Sequence, residues 1–263
     1  MVNKQPPQLR KATKGERRLL TSIATFFCAS LVLGVVALVN IVSIQSEYSA
    51  SVKEYDIIRE NYAPIAALPD EQTPLGAPEQ PEAPNPHAGL LELNPEYVGW
   101  ITVPGTAVDY PVVQAPDNDK YLHTGFSGED SKSGTVFMDH RCDAEFFGPY
   151  TILYGHNMKN GSMFAALNEY INNEAFLEAH PLITIATAQN KLKTYRIFNV
   201  QRTDAYDPAY SLAFSDGAAV WEHFEALGVA TRAPEVLSLS TCTNTRNDLE
   251  RLLIHAVLVT PEP

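Results

Sequence analysis

The sequence predicts a mainly β protein: a closed barrel of eight short strands with helical insertions, carried behind a single apolar helix. Three observations predict it. Eight short runs, many rich in Val, Ile, Thr and Tyr, recur between residues 98 and 259 with turn residues between them. Only three helical patterns interrupt these runs, and strands do not alternate with helices in the rhythm of a parallel βαβ sheet. Residues 19–46 contain no charged side chain at all.

The N-terminal end divides by composition. Residues 1–18 carry Lys4, Arg10, Lys11, Lys14, Arg17 and Arg18 against Glu16 alone. The uncharged stretch Leu19–Ser46 is longer than the roughly 20 residues a helix needs to cross a bilayer core of about 30 Å. A cleaved signal peptide would have an apolar core of only about 7–15 residues. Bulky Phe26 and Phe27 precede Cys28, which argues against a lipidation site there. Basic residues before the span and Glu47 and Glu54 after it place the N-terminus in the cytoplasm and the body outside the cell.

Ser46–Tyr62 reads as an amphipathic helix with Tyr48, Val52, Tyr55 and Ile58 on one face. Residues 63–88 hold seven prolines and read as a linker, because proline removes backbone donors and favours extended chain. The predicted organisation is therefore a cytoplasmic tail 1–18, a transmembrane helix 19–46, an extracellular helix and Pro-rich linker 47–88, and a globular body 89–263.

Within the body, the strand-like runs are Val98–Val103, Ala107–Val113, Gly134–Met138, Tyr150–Tyr154, Leu182–Ala186, Lys193–Val200, Val236–Ser240 and Leu252–Val259. Helical patterns fall at Ser162–Tyr170, Asn173–Ala179 and Gly217–Leu227. Short strands without a βαβ rhythm close most simply into a barrel.

Charge excludes one class of function. The net charge is −12, and beyond residue 18 the chain holds 13 basic against 30 acidic residues. Phosphate contact needs clustered Lys and Arg, so nucleic acid is not a partner of this body. Of three cysteines, Cys142 and Cys242 lie in the body. They form either one disulfide or at least one free reactive thiol.

Three residues in the body can carry nucleophilic chemistry together. Cys242 ends the run Leu239-Ser240-Thr241-Cys242 at the tip of a strand. His156 follows the apolar strand Ile152-Leu153-Tyr154 through Gly155, and a histidine at a strand end can shuttle a proton. Arg251 opens the strand after Cys242, across a polar loop, and a guanidinium can hold a carbonyl or a developing oxyanion. A cation beside a thiol favours the thiolate. Arg246, inside the loop, is the rival for the arginine role, and His255, on the strand face of Arg251, is the rival histidine. Each residue alone reads more simply as packing or surface; the combination does not.

The combination resembles the sortases, and among them class B. The resemblance rests on Thr151-Ile152-Leu153-Tyr154-Gly155-His156 with Met163-Phe164, and on Leu239-Ser240-Thr241-Cys242 with Arg251 nine residues later. Gly99–Thr106, Asp109–Gln114, Asn118, Tyr121-Leu122 and Gly134–Asp139 extend it over roughly residues 90–260. Class C members usually carry a C-terminal apolar span and an N-terminal lid with an Asp-Pro aromatic motif, whereas here Asp207-Pro208 lies elsewhere. Class A members lack the N-terminal helix and the long helix-bearing loop.

The resemblance implies an eight-stranded sortase barrel and a membrane-anchored cysteine transpeptidase that needs no metal or cofactor. Cys242 would attack the carbonyl after the Thr of a C-terminal sorting signal on a secreted protein, of Asn-Pro-x-Thr type. His156 would protonate the leaving amine and deprotonate the incoming one, and Arg251 would steady the oxyanion. The acceptor would be an amine of a peptidoglycan precursor or of a pilin. By the same resemblance Asn118, Leu122, Tyr154 and Ser240 line the substrate groove, and Tyr210 stands in the helix-bearing loop before the seventh strand. Two other readings stay open: a cysteine hydrolase using water as acceptor, and a non-catalytic tethered barrel with Cys142 and Cys242 disulfide-bonded.

Overall fold

A computed structural model describes residues 13–62, 85–211, 217–228, 235–243, 245 and 247–259. Most of the Pro-rich segment, Arg246 and part of the connection after Tyr210 lie outside these residues. The chain forms two compact units, one ending at Glu47 and one beginning at Tyr48.

The first unit is helical. Helix α1 spans Lys14–Tyr62 without a break, and its apolar stretch is long enough to cross a membrane, with none of that stretch buried in protein. The C-terminal turns of α1, from Tyr48 onward, belong to the second unit. There the buried stripe is Ser51, Tyr55 and Ile58, with Tyr48 partly covered. Val52 is 38% exposed, which corrects its place on the predicted face. At 100° per residue, Tyr48, Ser51, Tyr55 and Ile58 share one arc, and Val52 falls at its rim. Tyr55 donates to the carbonyl of Gly134 at 2.6 Å, and Arg59 Nε donates to the carbonyl of Asp109 at 3.0 Å. The helix is thus pinned to the barrel by polar as well as apolar contacts.

The barrel consists of β1 (Tyr97–Thr102), β2 (Asp109–Val113), β3 (Val136–Met138), β4 (Tyr150–Tyr154), β5 (Leu182–Thr187), β6 (Leu192–Asp204), β7 (Val236–Cys242) and β8 (Glu250–Leu258). It closes in the order β1-β2-β3-β4-β7-β8-β6-β5, with β1 pairing back onto β5. Two neighbours are parallel, β2 with β3 and β4 with β7; the other pairs are antiparallel. Alternation fills the inside: Ile101, Val112, Leu153, Leu237, Leu239, Leu252 and Ile254 are all buried in one core. Each such side chain contributes about 1.5–3 kcal/mol of burial.

The helices after α1 are short. The pattern at Ser162–Tyr170 forms a 3-10 helix at Phe164–Tyr170, not an α-helix, because seven residues cannot separate a period of 3.0 from 3.6. Two further helices are α2 (Ala88–Leu93) and α3 (Glu174–Ala179), the latter capped by Asn173, whose side chain accepts from the Phe176 N–H. Helix α4 (Gly217–Glu225) buries Val220, Trp221 and Phe224 against Tyr150, Ile152 and Val236, forming a second apolar cluster on the outer wall of β4 and β7. Among the described residues part of that outer wall remains uncovered, and the candidate site lies there.

Candidate active site

β7 faces two ways. Leu237 and Leu239 point into the core, so Ser238, Ser240 and Cys242 point outward. β8 alternates in the same way, with Leu252, Ile254 and Ala256 inward and Arg251 on the outer face. In the antiparallel β7–β8 ladder Cys242 and Arg251 are direct register partners. Both lie within strands, because β7 runs two residues further, and β8 starts two residues earlier, than the apolar pattern predicts.

β4 supplies the histidine. It runs parallel to β7 with Tyr154 opposite Ser240, and the Gly155 N–H donates to the Ser240 carbonyl at 3.2 Å. The same offset carried two residues further sets His156 beside Cys242. Asn157 fastens this end, donating from Nδ2 to the Cys242 carbonyl at 2.8 Å. Gly155 must be glycine, since a Cβ there would come within 2.7 Å of the Phe164 ring. His156 Nε2 lies 2.8 Å from the Leu122 carbonyl. A carbonyl only accepts, so Nε2 carries a hydrogen and Nδ1 is the nitrogen left to exchange a proton.

Cys242 is exposed, and His156 and Arg251 are half-buried. Arg251 Nη1 donates to the carbonyls of Asp248 (2.7 Å) and Glu250 (3.0 Å), which anchors the guanidinium at the mouth of the loop.

An open cleft of about 370 Å³ gathers these groups. Its lining includes all eight residues singled out from the sequence: Asn118, Leu122, Tyr154, His156, Tyr210, Ser240, Cys242 and Arg251. Phe137, Gly155, Ala205 and Thr241 complete it. Tyr210 Oη lies 2.9 Å from Ser240 Oγ, and its ring stacks on Tyr154 with centroids 6.4 Å apart and planes 12° apart. Burial pushes the Tyr210 hydroxyl up to about 12, so it stays neutral.

The rivals fall elsewhere. His255 is fully buried, with Nδ1 2.6 Å from Ser238 Oγ, and does not line the cleft. Arg246 lies outside the described residues. Cys142 and Cys242 are both free, which removes the predicted alternative of a disulfide between them. Cys142 is half-buried and packs against the core, its Sγ 3.8 Å from the Tyr150 carbonyl, and burial raises its thiol to about 12.

Sequence reasoning missed Asp139. It was visible only as the end of a motif, in a run of polar residues that reads as loop. It is fully buried and accepts from Tyr154, Asn118 and Arg141. The only local signal was Arg141 two residues on. Among the described residues no group of three or more His, Cys, Asp or Glu is placed to hold a metal ion.

The sequence and fold have known counterparts. Residues 101–259 match the sortase domain family. Sortase B of Listeria monocytogenes is 36% identical over 182 residues, covering 65% of this chain and 73% of that protein. The crystal structure of sortase B from Bacillus anthracis superposes with a TM-score of 0.66 at 31% identity, over 82% of this chain and 99% of the other. A Streptococcus pyogenes class B sortase involved in pilus biogenesis superposes with a TM-score of 0.58 at 28% identity, over 65% of this chain and 96% of the other.

Proposed function

This chain belongs to the sortase family and is a class B cysteine transpeptidase that anchors surface proteins to the cell wall, and from that premise we propose that Cys242, His156 and Arg251 carry the reaction. The Cys242 thiolate attacks the carbonyl after Thr in a sorting signal. The tetrahedral oxyanion is held by Arg251. It collapses as the peptide C–N bond breaks, and His156 gives its Nδ1 proton to the leaving amine. A thioester to Cys242 remains. An acceptor amine then attacks it, His156 takes the proton back, and the C–S bond breaks to free the thiolate. Asn118, Leu122, Tyr154, Tyr210 and Ser240 form the wall against which the peptide lies.

The observation that carries this reading is the convergence of three outer strand ends on one cleft, with Cys242 and Arg251 paired in register. Preorganised donors near a reacting carbonyl are the largest usual source of acyl-transfer rate. The acceptor is a peptidoglycan-precursor amine. The pilus-associated relative favours a second reading, in which a pilin lysine takes its place. The apolar stretch of α1 spans the cell membrane, with the tail 1–18 in the cytoplasm and the barrel outside.

The test is a peptide-library cleavage assay with and without added amines, followed by product analysis. We expect amide products with a preferred amine, and no thioester or product from Cys242→Ala. Release of free acid alone, unchanged by amines, would make the enzyme a hydrolase. Normal transfer by Cys242→Ala would overturn the mechanism. Alkaline extraction of membranes and external proteolysis of intact cells test the anchoring and the orientation.

A further inference from the structure

Asp139 directly follows β3 and is 0% exposed. Its Oδ1 accepts from the Arg141 backbone N–H at 3.0 Å and from Arg141 Nε at 2.9 Å. Its Oδ2 accepts from Arg141 Nη2 at 2.8 Å, from the Tyr154 hydroxyl at 2.9 Å and from Asn118 Nδ2 at 3.0 Å. Five donors use the full accepting capacity of a carboxylate. Burial acts to raise the pKa of this group, but the donors outweigh it, the Arg141 side chain first, and hold it at about 2.

The five donors come from three residues, and two of these, Asn118 and Tyr154, line the cleft. Asn118 comes from the loop after β2, and Tyr154 ends β4. Arg141 passes the constraint on, because its Nη2 also donates to the Tyr210 carbonyl at 3.1 Å, in the connection after β6. The Asn118 amide is fixed at both ends, since its Oδ1 accepts from the His140 N–H at 2.9 Å. Its flip is therefore set, and its second N–H is the group left to face a ligand. The Tyr154 hydroxyl proton is committed to Asp139, so this tyrosine offers its ring to the cleft. Asp139 itself does not line the cleft.

We propose that Asp139 is a positioning residue for peptide recognition, orienting Asn118 and Tyr154 directly and Tyr210 through Arg141. This rests on the reading that the cleft takes the sorting peptide. Asp139 acts on how the peptide is held, and not on the thiol, because none of its partners is Cys242, His156 or Arg251. A purely structural carboxylate would affect folding, and with it thiol reactivity and peptide turnover together.

Asp139→Asn keeps the shape but places an amide donor among donors. Arg141→Lys keeps the charge but loses the planar fork, and lies on the exposed side, where folding tolerates it. The probe is a quenched peptide of Asn-Pro-x-Thr type, the best cleaved in the library. For Asp139→Asn we expect KM to rise at least tenfold, kcat to fall less than threefold, and the rate of Cys242 alkylation by iodoacetamide to stay within twofold. For Arg141→Lys, which does not itself line the cleft, we expect KM to rise about fivefold. Once Tyr154→Phe is present, Asp139→Asn should add much less than it does alone. KM values within twofold of wild type in Arg141→Lys would overturn the proposal, as would a parallel loss of alkylation and kcat in Asp139→Asn. If Asp139→Asn does not fold, Arg141→Lys and Tyr154→Phe decide alone. Wild-type protein that cleaves no such peptide would defeat the reading of the cleft, and this proposal with it. Wild-type cleavage with unmoved KM in the variants would defeat the positioning role only.

Discussion

Cys242 and Arg251 are register partners across the β7–β8 ladder, so strand pairing sets the separation of their backbones, and the loop that joins them sets where the guanidinium rests. Two carbonyls, those of Asp248 and Glu250, hold one amino group of the guanidinium in place. Arg251→Ala should lower kcat/KM by about 10²–10³, the usual cost of losing a preorganised oxyanion donor. Arg251→Lys should recover less than a tenth of that activity, because an ammonium cannot bond both carbonyls and still present a fork to the substrate. Steady-state kinetics on the cleaved peptide measure both, and full activity in the lysine variant would refute the geometric argument.

The two thiols of the body differ in environment. Cys142 is buried enough to raise its pKa to about 12, so at pH 8 only about one molecule in 10⁴ carries the thiolate there. In a folded fragment beginning at Tyr48, iodoacetamide should label one cysteine per chain, Cys242. Peptide mapping of the non-reduced protein should find no bridge between the two. Comparable labelling of both sites would show that the packing around Cys142 is loose.

Acid should weaken the fold through His255. Burial lowers this imidazole from 6.5 to about 4. Between those values the unfolded chain binds a proton that the folded chain refuses, so stability falls as pH drops from about 6.5 to about 4 and is fully present above that range. The gap corresponds to at most about 3 kcal/mol. Urea midpoints at pH 7.5 and 5.0 should separate more for wild type than for His255→Gln. Equal pH dependence in the two proteins would assign the acid sensitivity to other groups.

The C-terminal part of α1 is an integral part of the second unit. Tyr55→Phe leaves the buried Gly134 carbonyl without its 2.6 Å donor and should cost about 1–2 kcal/mol. Ile58→Ala should cost about 2–4 kcal/mol through the cavity it opens. Val52→Ala, at the exposed rim, should change stability by less than about 0.5 kcal/mol. Equilibrium denaturation of the fragment beginning at Tyr48 ranks the three, and a Val52 effect equal to that of Ile58 would contradict the observed face.

Local patterns were enough to locate the eight strands, and they marked Cys242, His156 and Arg251 as candidates that the fold gathers at one cleft. β4 falls at Tyr150–Tyr154 as its run of apolar residues predicts. β6 extends to Asp204, four polar positions beyond the predicted end at Val200, because Thr203 and Asp204 pair with Arg251 and Glu250 of β8; no apolar pattern marks such a stretch. The parallel neighbourhood of β4 and β7 has no local signature, yet it brings His156 into the cleft of Cys242. Asp139 was opaque for a related reason: its partners Tyr154 and Asn118 are 15 and 21 residues away in sequence, and a buried acid among polar neighbours looks like a surface loop until those donors arrive.

The two faces of β7 divide labour. Leu237 and Leu239 carry the cohesion of the barrel, while Ser238, Ser240 and Cys242 look outward. Selection can therefore rewrite cleft positions around Cys242 on that outer face, such as Ser240, with little loss of cohesion. Such an enzyme is evolvable: new client motifs can be acquired on its outer wall while the folding determinants inside stay constant.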